Sequence, residues 1–239
     1  DSEIIAALNR LSKLLKDNPN IPMAAVNMSY GKTSLSSTPP ANMKTNAEYL
    51  AMKAISDTNR IIMCVAAGNH GVEIGNGTYA YPASYIDISN MIVVANATSS
   101  TNYPRSSSSN YSTSYVDIAA PGTSILSTAP DSCTLVSNYP SQVITENGHK
   151  YLTISGTSMA TPHVAGTVTL LKATYPEATT ADIKAAILEG ANANYAKSYT
   201  VNGFLDVSKA LQILGEKYGD GVPPEILSST LEEGMITQS

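Results

Sequence analysis

The sequence predicts an α/β protein built on a parallel sheet sandwiched between helices. Three observations point there. Two uninterrupted apolar runs, Ile61 to Ala67 and Met91 to Ala95, read as strands buried on both faces. Segments with apolar residues at helical spacing alternate with such runs, the pattern of helices packed on a parallel sheet. The chain has 239 residues, 43% of them apolar, enough for one large domain with a substantial core.

Taken in order, residues 2–16 place Ile4, Ile5, Leu8, Leu11, Leu14 and Leu15 on one helical stripe, with Ser2 as a cap. Asn18-Pro19-Asn20 breaks that helix, and residues 23–28 follow as a short buried strand. A second helix fits residues 45–59, then come the strands 61–67 and 91–95. The Ser-rich stretch 99–114 and the turn-rich segment 121–148 read as long loops, more than a compact domain carries without purpose. Helices are expected over 157–175, over 180–189 after Pro176, and over 207–214. Residues 215–239, with Gly219, Gly221, Pro223 and Pro224, read as a tail or linker to a single domain of residues 1–214.

Composition removes several classes of function. A net charge of -5 with only three arginines (Arg10, Arg60, Arg105) offers no basic face for nucleic acid. No apolar run approaches the roughly 20 residues of a membrane span, and the N-terminus lacks the basic start and apolar stretch of an export signal. The chain starts at Asp1 rather than Met, which suggests a piece of something longer. Cys64 reads as a small buried hydrophobe; a bridge to Cys133 stays open, and neither has metal-ligand spacing. No metal or cofactor is expected.

The strongest chemical signal is Ser155-Gly156-Thr157-Ser158-Met159-Ala160-Thr161-Pro162-His163-Val164-Ala165-Gly166. It puts Ser158 in the first turn of a helix, where its own N–H is unpaired and the helix dipole favours negative charge. That suits a nucleophile whose attack creates an oxyanion. Pro162 is read as tolerated because a first turn has no donor to lose. Val65-Ala66-Ala67-Gly68-Asn69 sets an amide at the C-terminal end of a buried strand, the edge where open α/β sheets bind ligands, so Asn69 could donate to the same developing charge. Asn27-Met28-Ser29-Tyr30-Gly31 ends the preceding strand at that edge, where Ser29 and Gly31 could pair with an extended peptide.

These three segments resemble the subtilisin-like serine peptidases. Tyr81-Pro82, Asp117-Ile118-Ala119-Ala120-Pro121-Gly122 and Asn202-Gly203-Phe204-Leu205-Asp206 fit the same pattern, and the likeness runs from about residue 1 to 214. The resemblance implies a subtilisin-like fold, a peptide or protein substrate, Ser158 as nucleophile and Asn69 as oxyanion donor. Ser29, Tyr30, Gly31, Ala66, Ala67 and Gly68 would line the cleft. It also implies an extracellular or cell-surface setting.

The departure matters as much. In that family Asp and His precede Ser in the chain. No Asp here is followed by Ser-Gly or Thr-Gly, and no His opens a Gly-rich helix. The expectation is that the N-terminal strands and the base-bearing helix are lacking, that an absent N-terminal segment supplies Asp and His, and that the isolated chain is inactive. His163 lies five residues past Ser158, about 140° around the helix, and reads as structural. His70 is a weak substitute base and His149 lies in a loop. Asp117 is read as a structural carboxylate, with a surface cation the resemblance's alternative. Without its neighbour the strand at 23–28 becomes an apolar edge that invites a homo-oligomer. A non-catalytic peptide-binding module is the competing function. An α/β-hydrolase esterase fits less well, because Gly156-Thr157-Ser158-Met159-Ala160 departs from the Gly-x-Ser-x-Gly elbow.

Overall fold

The computed structural model describes residues 2–219. Five parallel strands form the main sheet in the order β1-β2-β3-β4-β8: β1 Ala25–Met28, β2 Ile62–Ala66, β3 Met91–Ala97, β4 Ile118–Pro121 and β8 Gly203–Phe204. Successive side chains of a strand point to opposite faces. Met63 and Val65 of β2, with Met91, Val93 and Ala95 of β3, join the core under helices α1 (Ser2–Asp17) and α2 (Ala47–Ser56). Ile62, Cys64, Ile92 and Val94 face the other way, onto α4 (Thr157–Thr174), α5 (Thr180–Glu189) and α6 (Val207–Tyr218). Helices on both faces bury β2 and β3 completely, which is why those segments read as continuous apolar runs.

Local chemistry sets the element ends. Asn46 caps α2 by accepting from the Glu48 N–H at 2.9 Å, so the helix starts later than the spacing alone predicts. Thr179 and Asp206 cap α5 and α6 in the same way. Helix α6 runs on to Tyr218 rather than ending at Leu214. Gly215 is buried within it, and Lys217 and Tyr218 bond Asp182 of α5, which holds the last turn. Residues 215–218 of the expected tail thus belong to α6, and residues 220–239 lie outside the described residues.

Segment 121–148 departs from the loop expectation. It contributes β5 (Ile125–Ala129), the short α3 (Thr134–Asn138) and β6 (Val143–Glu146), and β7 (His149–Ile154) completes an antiparallel sheet in the order β5-β7-β6. Asn147 and Gly148, both at positive φ, close the β6–β7 hairpin, the dipeptide that such two-residue turns favour. Segment 99–114 holds only isolated bridges. Cys64 and Cys133 are both free, and burial pushes the Cys64 thiol up to about 12. Among the described residues no helix is long and apolar enough to cross a membrane.

Candidate active site

Ser158, Asn69 and Ser29 meet at the C-terminal edge of the sheet. Helix α4 starts at Thr157, so Ser158 lies in its first turn. The Thr157 N–H donates to Asn69 Oδ1 at 2.9 Å, and the Thr157 hydroxyl donates to the same oxygen at 3.1 Å. A backbone N–H can only donate, so the contact fixes which end of the amide is oxygen and leaves Nδ2 on the other side. Met159 and Ala160 return their N–H groups to the Gly156 carbonyl, while no described residue accepts from the Ser158 N–H or from Asn69 Nδ2. The Ser158 N–H and Asn69 Nδ2 are thus two unengaged donors at the start of α4, an arrangement suited to a developing oxyanion.

The loop that carries Asn69 is fixed from below. Asn110, fully buried, donates to the Ala67 carbonyl at 2.9 Å and accepts from the His70 N–H at 2.9 Å and the Val72 N–H at 3.3 Å. Gly68 has φ +98°, and a Cβ there would stand 2.5 Å from Asn110 Nδ2. Only glycine fits, by conformation and by space. The Gly68 N–H donates to the Thr157 hydroxyl at 3.2 Å, closing a ring between this loop and the helix start. Sequence reading missed Asn110 and Thr157. Thr157 stood inside the motif without a role, and Asn110 was one polar residue in a Ser-rich run whose importance only the fold reveals.

The cleft strand meets Ser158 through a reciprocal pair. The Ser158 hydroxyl donates to the Ser29 carbonyl at 3.2 Å, and the Ser29 hydroxyl donates to the Ser158 carbonyl at 2.8 Å. The second bond corrects the expectation for Pro162. That residue sits in the second turn of α4, where its missing N–H would have bonded the Ser158 carbonyl four residues back. Ser29 supplies the donor that the proline lacks.

The other cleft candidates divide. Gly31 is exposed at the rim, with no bond to its own N–H or carbonyl among the described residues. Ala66 is buried at the end of β2. Ala67 is fully buried, its N–H bonded to Val94 and its carbonyl to Asn110, so it supports the loop rather than the rim. Tyr30 is half-buried, and its hydroxyl is buried beside the Glu48 carboxyl. Burial first, then the nearby Glu48 carboxyl, drives the Tyr30 hydroxyl far above its ordinary value. Burial likewise raises Glu48, against the pull of Lys32.

No histidine hydrogen-bonds Ser158. His163 Nδ1 pairs with the Met159 carbonyl at 2.9 Å, His70 Nε2 pairs with the Thr33 carbonyl at 3.1 Å, and His149 is exposed on β7. Asp117 accepts from the Val93 N–H at 2.7 Å; burial raises its pKa while that bond and Lys184 pull it down, the behaviour of a structural carboxylate. No group of three or more His, Cys, Asp or Glu side chains able to hold a metal ion occurs among the described residues.

The profile of the subtilase family, Peptidase_S8, matches residues 1–221. The chain belongs to the subtilase family. A thermostable alkaline protease of Halalkalibacterium halodurans is 34% identical over 190 residues, covering 80% of this chain and 42% of that protein. Thermitase of Thermoactinomyces vulgaris is 38% identical over 152 residues, covering 63% of this chain and 44% of its own length. Among solved structures, a cold-adapted subtilisin-like serine proteinase superposes with a TM-score of 0.57 at 26% identity, covering 81% of this chain and 58% of that one. The fold is subtilisin-like, and this subtilase chain spans less than half the length of each of these two relatives.

Proposed function

We propose that the chain is the nucleophile-bearing portion of a serine endopeptidase, with the acid and base supplied by polypeptide N-terminal to Asp1. In the proposed reaction Ser158 Oγ attacks the scissile carbonyl carbon and its proton passes to the absent imidazole. The Ser158 N–H and Asn69 Nδ2 hold the oxyanion. The C–N bond then breaks, the leaving amine takes the proton, and water hydrolyses the acyl-enzyme. The observation that carries this reading is the pair of unengaged donors beside a hydroxyl whose own proton rests on a backbone carbonyl instead of an imidazole. Ser29 and Gly31 would pair with the substrate backbone, which makes peptides and proteins the substrate class. The family habit places such an enzyme outside the cell or on its surface.

Strand β1 ends the sheet, its outer edge unpaired among the described residues, and its Val26 and Met28 join the core. A free strand edge beside Ser158 is where an upstream segment would add, or where two copies would meet. The test is to label Ser158 with a fluorophosphonate, with and without an added N-terminal fragment. The chain alone should label slowly and hydrolyse no peptide, and the fragment should restore both. Ser158-dependent turnover by the chain alone overturns the proposal.

The competing reading, a peptide-binding module without catalysis, is favoured by the absence of any histidine bonded to Ser158. An upstream sequence with an ordinary Asp and His dismisses it.

A further inference from the structure

A hollow of about 460 Å³ lies between the chain that follows β3 and the chain that precedes β8, and nothing in the proposed reaction uses it. That volume falls within the roughly 300–1,000 Å³ of small-molecule sites. Tyr103, in the first of the two segments, stacks on Phe204 of β8 with ring centroids 4.1 Å apart. Strand β8 is the edge of the main sheet opposite β1, so the hollow is set apart from the Ser29 cleft strand.

Its walls are held in a costly shape. Asn102, Tyr103 and Ala196 adopt φ of +68°, +47° and +61°. Such conformations strain any residue with a side chain and persist only where the surroundings dictate them. Here the Tyr195 ring meets the Tyr103 ring edge-on at 5.1 Å, and the Tyr199 hydroxyl donates to the Tyr103 carbonyl at 2.8 Å. The two walls are thereby fixed to each other, and the concavity is formed before any ligand arrives.

Among the described residues, Arg105 is the only charged one that lines the hollow. Its guanidinium lies over the Tyr111 ring, 4.3 Å from the centroid, and its Nη1 donates to the carbonyls of Ser106 at 3.1 Å, Ser107 at 3.3 Å and Ser109 at 2.6 Å. All three bonds use Nη1. Nε–H and Nη2–H, the parallel pair that matches the two oxygens of a carboxylate, find no acceptor among the described residues. Carbonyls satisfy a donor without neutralising its charge, and Arg105 makes no ion pair with a described residue. Tyr195 adds flat aromatic surface, and the exposed Asn102, Asn194 and Ser198 form a neutral polar rim.

We propose that this hollow binds a small aromatic carboxylate. Nε–H and Nη2–H of Arg105 hold the two carboxylate oxygens, and the ligand's ring lies against Tyr195. The inference is independent of the acyl-transfer reading. Titration of benzoate into the full chain, followed by nuclear magnetic resonance, tests it. Benzoate should move the Arg105 Nε–H and Tyr195 ring signals saturably, and benzamide, the same ring without the charge, should bind at least about tenfold more weakly. Asn194→Asp sets a competing carboxylate on the exposed rim and leaves the bonds of Arg105 and the walls in place, so it should weaken benzoate severalfold. Signals at Arg105 and Tyr195 left unmoved, benzamide binding as tightly as benzoate, or benzoate binding unchanged in Asn194→Asp would each overturn the proposal.

Discussion

On the Asn69 side of Ser158 the polar groups that support the loop are held from two elements at once. Thr157 and Asn110 are fully buried, and each makes at least three hydrogen bonds. On the Ser29 side the cleft strand ends the sheet, and between α4 and β5 a hollow of about 280 Å³ lined by Leu126, Met159 and Pro162 opens beside Ser158. Leu126 is 52% exposed there. The two donors of the proposed reaction thus lie beside a well-held loop, whereas the Ser29 side ends at the edge of the sheet. Ser158 and its N–H lie on α4 and Asn69 on the loop after β2, so their geometry depends on the bonds that join those two elements across 88 and 89 positions.

Four measurements would break or sharpen that contrast. The largest effect belongs to Asn69→Ala in a complemented, active complex. It should lower kcat by about 10²–10³, or roughly 2.7–4 kcal/mol, a magnitude carried over from the oxyanion asparagine of subtilisin, with little change in thermal stability. A loss below tenfold would mean that Nδ2 does not face the reacting carbonyl. Next, Asn110→Ala strands the Ala67 carbonyl and the His70 and Val72 N–H groups, and should cost about 2–4 kcal/mol in urea unfolding. An unchanged midpoint would show that the loop is not held from below.

Ser29→Ala should cost about 1–3 kcal/mol, because Pro162 leaves the Ser158 carbonyl with no other donor. In a Pro162→Ala background the helix regains its own N–H, so the Ser29→Ala cost should shrink. Additive costs in that double-mutant cycle would sever the link. The smallest effect is pH-dependent. Burial raises the pKa of Glu48 in the folded chain above its ordinary 4.5. The contribution is therefore full below the unfolded value and is lost as pH rises through the folded one. Stability relative to Glu48→Gln should fall from acidic toward neutral pH, and a flat difference would show that Glu48 is solvated.

Much of this was legible in the residues. The apolar runs at Ile61 and Met91 give strands buried on both faces because helices cover both sides, and the Ser158 motif marks a helix start because Gly156 and the small residues after it leave room for the chain to turn. The antiparallel sheet was harder. Leu126 and Ile144 are exposed, so β5 and β6 lack the buried periodicity that betrays a strand, although Asn147-Gly148 is a hairpin signal in plain view. Strand β4 was hidden by its brevity, four residues of Ile-Ala-Ala-Pro. Asn110, Thr157 and the hydroxyl of Ser29 act through partners 38 to 129 positions away, a separation no local pattern encodes.

Pro162 has a wider effect than its one missing donor. A helix with an unbroken ladder would carry its first-turn serine wherever the helix went. Here the ladder is interrupted and the gap is filled from a different strand, so the place of the reactive oxygen is agreed between two distant stretches of chain. A peptide of residues 155–175 alone would lack that agreement. Any shift of the Ser29 strand would therefore carry the first turn of α4, and the Ser158 hydroxyl, with it.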